Sequence, residues 1–194
     1  MKTIGLTGSI AMGKSTAARL FGRLGIPVYD ADAAIHALLA KGGAGVSPVA
    51  KAFAGVKTNG AIDRAKLGRT VFADPAALAR LEAILHPLAA RARDAFLARH
   101  RRSRTKRVVL DVPLLFETGG ERRCDLVVVV SASATIQRQR ALARPGMTRE
   151  KLAGILARQM PDARKRRRGD VVAVTGLGLL PTLRALKRAV RLTG

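Results

Sequence analysis

Gly8, Gly13, Lys14 and Ser15 stand at the spacing Gly-x-x-x-x-Gly-Lys-Ser, directly after the short apolar run Ile4-Gly5-Leu6-Thr7. A strand, a glycine-bracketed loop and a helix start, in that order, make the P-loop pattern, which binds the phosphates of a nucleoside triphosphate. The residue types follow from the task. Glycine at 8 and 13 lets the backbone turn tightly and approach a phosphate that a Cβ would obstruct. The main-chain N–H groups across Ala11, Met12, Gly13, Lys14, Ser15 and Thr16 then face the anion at the N-terminus of the following helix. The Lys14 ammonium can reach the β- and γ-phosphates, and the Ser15 hydroxyl can ligate Mg²⁺. The sequence assigns Lys14 no evident packing duty.

Carboxylates come next. Asp30 and Asp32 follow a second apolar run, Ile26-Pro27-Val28-Tyr29, at the carboxyl edge where open α/β sheets place ligands. One of them could orient a hydroxyl nucleophile and accept its proton, or either could cap the helix that follows. Asp111 ends the apolar run Val108-Val109-Leu110. There it could hold Mg²⁺ through water or bond a neighbouring loop. Glu117 could orient a substrate or pair with an arginine. Arg140 and Arg144 are four residues apart and share a helix face. A planar guanidinium there suits a phosphoryl group in transfer, although in so basic a chain both could be surface charge.

The elements that must position these groups are legible in outline. Helical spacing runs from Lys14 to Leu24, where Gly25 ends it, and again from Asp32 to about Leu39. One strand–helix–strand unit implies a parallel sheet. From Ser47 to about His100 no strand is expected, only helices over 47–54, 63–72 and 75–99, the last with Pro87 as a candidate break. Asp63 and Asp74-Pro75 mark two of the starts. So long a helical block exceeds a simple crossover and reads as an insertion. Strands are expected at 108–111, 125–131 and 170–174, and helices at 133–144, 148–158 and 179–192. The fold class is α/β: a three-layer sandwich around a five-stranded parallel sheet, with helices on both faces.

The chain has 194 residues, 48% of them apolar but only six aromatic, so its core must be built from Ala, Leu, Val and Ile. No apolar run approaches the ~18 residues of a membrane span, and no signal peptide precedes the first strand. A lone Cys124 excludes an intramolecular disulfide and fits a reducing, cytoplasmic setting. The net charge of +23 calls for a polyanionic partner, a phosphate-rich substrate or a nucleic acid. Basic runs at 99–107 and 164–168 carry no interleaved aromatic residues. A base-stacking platform is thus poorly supported, and the runs read as solvated helix ends or loops.

Three further stretches join the P-loop: Gly25-Ile26-Pro27-Val28-Tyr29-Asp30-Ala31-Asp32, Leu85-His86-Pro87-Leu88 and Asp111-Val112-Pro113-Leu114-Leu115-Phe116-Glu117. Together they resemble the dephospho-coenzyme A kinase family, over nearly the whole chain and in order. The resemblance implies ATP-dependent phosphorylation of the ribose 3′-hydroxyl of dephospho-coenzyme A, the step that completes coenzyme A, with Mg²⁺ as cofactor. It implies a nucleotide core over about 1–40 and 105–194, a helical substrate domain over about 41–104 and a lid over about 138–160. Another P-loop kinase, or a nucleic-acid-binding NTPase motivated by the charge, remains the alternative; nucleic acid is not the expected partner.

Among the carboxylates, the resemblance selects Asp32 as the catalytic one and leaves Asp30 as the cap. It matches Arg140 and Arg144 to lid arginines, Arg138 less well. His86 lies near the substrate domain by the same likeness, although a lone histidine there is more often packed or capping. Two departures stand out. Ser9, Ala11 and Met12 replace the family's usual Gly, Gly and Ser. Val174-Thr175-Gly176-Leu177 stands where the family commonly has an Asn-containing turn beside the adenine.

Overall fold

The structure is a computed structural model and describes residues 1–72 and 74–194. Its contacts divide the chain into two compact units, Met1–Tyr29 with His100–Gly194, and Asp30–Arg99.

Strand β1 (Lys2–Thr7) leads through the glycine loop into helix α1 (Lys14–Arg23), and β2 (Val28–Asp30) follows. After the helical block come β5 (Arg107–Asp111), β6 (Leu126–Ser131) and β7 (Val171–Val174), with a 3₁₀ turn at Gly120–Arg123. The sheet order is β2-β5-β1-β6-β7, and β1 pairs in parallel with both β5 and β6. Every residue of β6 is buried, because alternate side chains serve opposite faces. Val128 and Val130 join Ile4, Leu6, Phe21 and Leu186 in one cluster. Val127 and Val129 pack with Leu115 and Phe116 in another. Gly5 sits in β1 because a Cβ there would press on Cys124 and Leu115.

Helices α6 (Ala134–Leu142), α7 (Arg149–Ala157), α8 (Asp162–Arg168) and α9 (Leu179–Leu192) complete this unit. Ser133 and Thr148 cap α6 and α7, accepting from the N–H groups of Ile136 and Lys151. Helix α8 was not anticipated. The arginines of its basic run are exposed, as a solvated helix end has them, but Lys165 is fully buried.

The second unit holds α2 (Ala31–Leu39), α3 (Val46–Ala52), α4 (Arg64–Phe72) and most of α5 (Pro75–Arg102). Its core gathers Leu39, Val49, Phe53, Ile62, Leu67, Leu81 and Leu85. Asp63 accepts from Ala65 and Lys66 N–H, and Asp74 from Ala76 N–H, as helix caps do. One expectation fails here, and a candidate break is absent. α5 runs unbroken through Pro87: proline keeps a helical φ and removes one bond, which a helix anchored by Leu81 and Leu85 tolerates. The block also contains a hairpin, β3 (Lys57–Thr58) with β4 (Ala61–Ile62). Its turn residues Asn59 and Gly60 lie at φ 50° and 81°, the left-handed pair that a type I′ turn requires. The Asn-Gly dipeptide was the overlooked signal.

Candidate active site

The loop between β1 and α1 is shaped by close approaches that only glycine permits. A Cβ on Gly8 would collide with Val130, side chain and carbonyl alike. Gly13 caps α1 at φ 90°, and a Cβ there would meet Thr175 Oγ1 at 2.8 Å. Met12 N–H donates to Ser9 O at 3.2 Å, closing the turn. Met12 is buried, and its thioether sulfur accepts the Ala132 N–H at 3.0 Å. Ala11 adopts φ 61°, unusual for a residue with a Cβ. That methyl packs in a small cluster with Ala141 and Leu152, so Ala11 and Met12, two of the three loop replacements, each have a packing duty.

Lys14 Nζ donates to Asp111 Oδ1 at 2.6 Å, and Asp111 is only 2% exposed at the end of β5. Ser15 follows Lys14 in the first turn of α1. Among the described residues no group of three or more His, Cys, Asp or Glu side chains could cage a metal. A hydroxyl and one carboxylate are instead the donor set of a Mg²⁺ that takes its other ligands from water and substrate phosphates.

Thr175, just past β7, ties the site together. Its hydroxyl donates to Met12 O at 2.7 Å and accepts from Arg140 at 3.0 Å, while a second Arg140 nitrogen donates to the Thr175 carbonyl at 2.9 Å. A cavity of about 370 Å³ opens here, and Ala11, Gly13, Ser15, Arg140, Arg144 and Gly176 are among its lining residues. Two guanidinium groups and a helix N-terminus give it the chemistry that suits an anion. The sequence reading missed Thr175 as a structural member, although its place at a strand end was visible.

Glu117 lies elsewhere in the same unit. Its Oε1 accepts from Met160 N–H at 2.7 Å and pairs at 2.9 Å with Lys165, whose Nζ also donates to Pro113 O at 3.3 Å. Burial pushes the Glu117 carboxyl up, but the Lys165 ammonium and the Met160 N–H outweigh it and hold its pKa below the ordinary value. The partner is a buried lysine, not an arginine of the lid region. Nothing in a run of five basic residues marks which one is buried.

Asp32 and His86 belong to the second unit, and both are exposed. Asp30 is the cap of α2, accepting the Ala33 N–H at 2.9 Å, so Asp32 in the first turn has no capping task. Cys124 is half-buried, and burial with Asp125 and Glu121 nearby pushes its thiol up to about 11, leaving it inert.

Residues 2–176 match the protein family described as dephospho-CoA kinase. A dephospho-CoA kinase of Paramagnetospirillum magneticum is 64% identical over 86% of this chain and 78% of its own length. That of Rhodospirillum rubrum is 60% identical over 95% of this chain and 88% of its own. A Thermus thermophilus protein of known crystal structure is 36% identical and superposes with a TM-score of 0.85, covering 98% of this chain and 96% of that one. The dephospho-CoA kinase of Campylobacter jejuni, 21% identical, shares the fold at a TM-score of 0.65 over 100% of this chain and 97% of its own. With a phosphate-binding loop of this geometry and a family match along nine-tenths of its length, the chain belongs to the dephospho-CoA kinase family of P-loop kinases.

Proposed function

We propose that the enzyme transfers the γ-phosphoryl group of ATP to the ribose 3′-hydroxyl of dephospho-coenzyme A, giving coenzyme A and ADP. The observation that carries this reading is the phosphate cradle of Gly8 to Thr16, with Lys14 aimed by Asp111, in a chain of this family. The loop N–H groups, Lys14 and the α1 N-terminus bind the β- and γ-phosphates. Arg140, braced by Thr175, and Arg144 face the charge that builds on the transferring group. Asp32 aligns the 3′-hydroxyl and takes its proton as the new O–P bond forms and the bond from the γ-phosphorus to the β–γ bridging oxygen breaks.

Ser15 and Asp111 fit a Mg²⁺ that arrives with ATP. When bound, the ion neutralises phosphate charge. The second unit, with His86 exposed on α5, supplies the acceptor-binding surface, and residues 138–160 serve as the lid. Among the described residues no helix is long and apolar enough to cross a membrane. A lone, inert Cys124 supports a reducing cytoplasm as the working compartment.

The test is a coupled ADP-release assay with dephospho-coenzyme A, run beside AMP and an RNA oligonucleotide. ADP release is expected with dephospho-coenzyme A alone. Release with AMP in its place would make this a nucleotide kinase. Tight, steeply salt-dependent RNA binding without transfer would favour a nucleic-acid-binding NTPase.

A further inference from the structure

Ile10, at the apex of the P-loop, has both of its main-chain polar groups taken by glutamine side chains. Gln137 of α6 donates from Nε2 to Ile10 O at 2.9 Å. Gln159, just past α7, accepts the Ile10 N–H on Oε1 at 3.0 Å. Gln137 is 8% exposed and Gln159 is half-buried, so neither bond is a passing surface contact. The next residue, Ala11, is the one at φ 61°. The left-handed region disfavours an L residue by roughly tenfold, so something must hold it there.

In a trans peptide the carbonyl and the following N–H point in opposite directions. Fixing the Ile10 carbonyl on Gln137 therefore fixes the direction of the Ala11 N–H, and Ala11 lines the cavity. Fixing the Ile10 N–H on Gln159 in the same way aims the Ser9 carbonyl, which accepts from Met12.

We propose that Gln137 and Gln159 are positioning residues for nucleotide binding: a two-sided clamp on Ile10 that holds Ala11 in its left-handed conformation and points its N–H at the triphosphate. This deepens the proposed function, since it rests on ATP occupying the P-loop. It also ties the loop to both helices of the expected lid region, one glutamine from each side of the α6–α7 pair.

The experiment reads ATP affinity by calorimetry, without the acceptor, in Gln137→Met, Gln159→Met and the pair combined. Methionine keeps chain length and removes the bond. One intramolecular hydrogen bond corresponds to about two- to tenfold in an equilibrium constant, so the pair should weaken ATP by tenfold or more. The same substitutions are then made in an Ala11→Gly background. Glycine takes φ near 60° freely, so there the loss should shrink to about twofold. An equal loss in both backgrounds, or a fall in thermal midpoint with ATP affinity unchanged, would reduce the glutamines to ordinary structural residues and overturn the proposal. Wild-type protein that fails to bind ATP would overturn the P-loop reading as well. Failure of transfer to dephospho-coenzyme A, with the clamp effect intact, would fault only the acceptor assignment.

Discussion

Lys14 and Asp111, 97 residues apart in the chain, meet at 2.6 Å, with the carboxylate almost wholly buried. The loop after β1 and the end of β5 are adjacent because those strands pair in parallel, Leu6 opposite Asp111. A buried carboxylate accepting from Lys14 Nζ keeps the lysine extended where phosphates are to bind. Lys14→Ala should abolish transfer. It should also lower stability by about 2 kcal/mol, because a charged hydrogen bond is lost beneath the sheet edge. That second effect is not legible in the residues around Lys14, because Asp111 is distant in the chain. Near wild-type turnover with ATP and dephospho-coenzyme A would end the P-loop assignment.

Asp32→Asn separates chemistry from capping. Asp30 already caps α2, so Asp30→Ala should cost about 1 kcal/mol of stability. Asp32→Asn should leave the thermal midpoint where it is. General-base contributions of about 10²–10⁴ are typical, and kcat should fall within that range at unchanged ATP affinity. A rate within roughly threefold of wild type would remove Asp32 from the mechanism.

Arg140 and Arg144 should show their roles in how substitutions divide between kcat and KM. Alanine at either position is expected to lower kcat more than it weakens acceptor binding, as an interaction formed mainly in the transition state does. Thr175→Val removes the hydroxyl that joins Met12 O to Arg140. Weaker ATP binding by about two- to tenfold should follow. Steady-state kinetics that match wild type in all three variants would make the arginines surface charge only.

The Glu117–Lys165 pair predicts a pH dependence of stability. Glu117 has a folded pKa below its ordinary 4.5, so below that value the unfolded chain binds more protons. Its contribution is therefore complete above pH 4.5 and lost as pH falls through the lowered pKa. Glu117→Gln leaves the fully buried Lys165 without its carboxylate, at a cost of about 3 kcal/mol near neutrality. Denaturant unfolding of the two proteins should converge as the pH drops below 4.5. A gap that stays constant to pH 3 would show that the carboxylate's charge is not what stabilises the pair.

Local chemistry is what the sequence alone determined. The spacing of Gly8, Gly13, Lys14 and Ser15, the caps at Asp63 and Asp74 and the five strand segments all arise from interactions within a few residues, so the order of residues encodes them directly. The Asn59-Gly60 turn is encoded in the same local way. Tertiary structure decided what depends on distant partners. Lys165 is buried where Glu117 and Pro113 O meet it, and being the one lysine among the arginines of 164–168 does not by itself mark it as the buried one. Thr175, Gln137 and Gln159 acquire their roles only when β7, α6 and the end of α7 converge on the loop after β1. Unlike the hydroxyls of Ser133 and Thr148, which cap their own helices, those three side chains bond groups 127 to 163 residues away, so their roles are set by the packing that surrounds them and not by their neighbours in sequence.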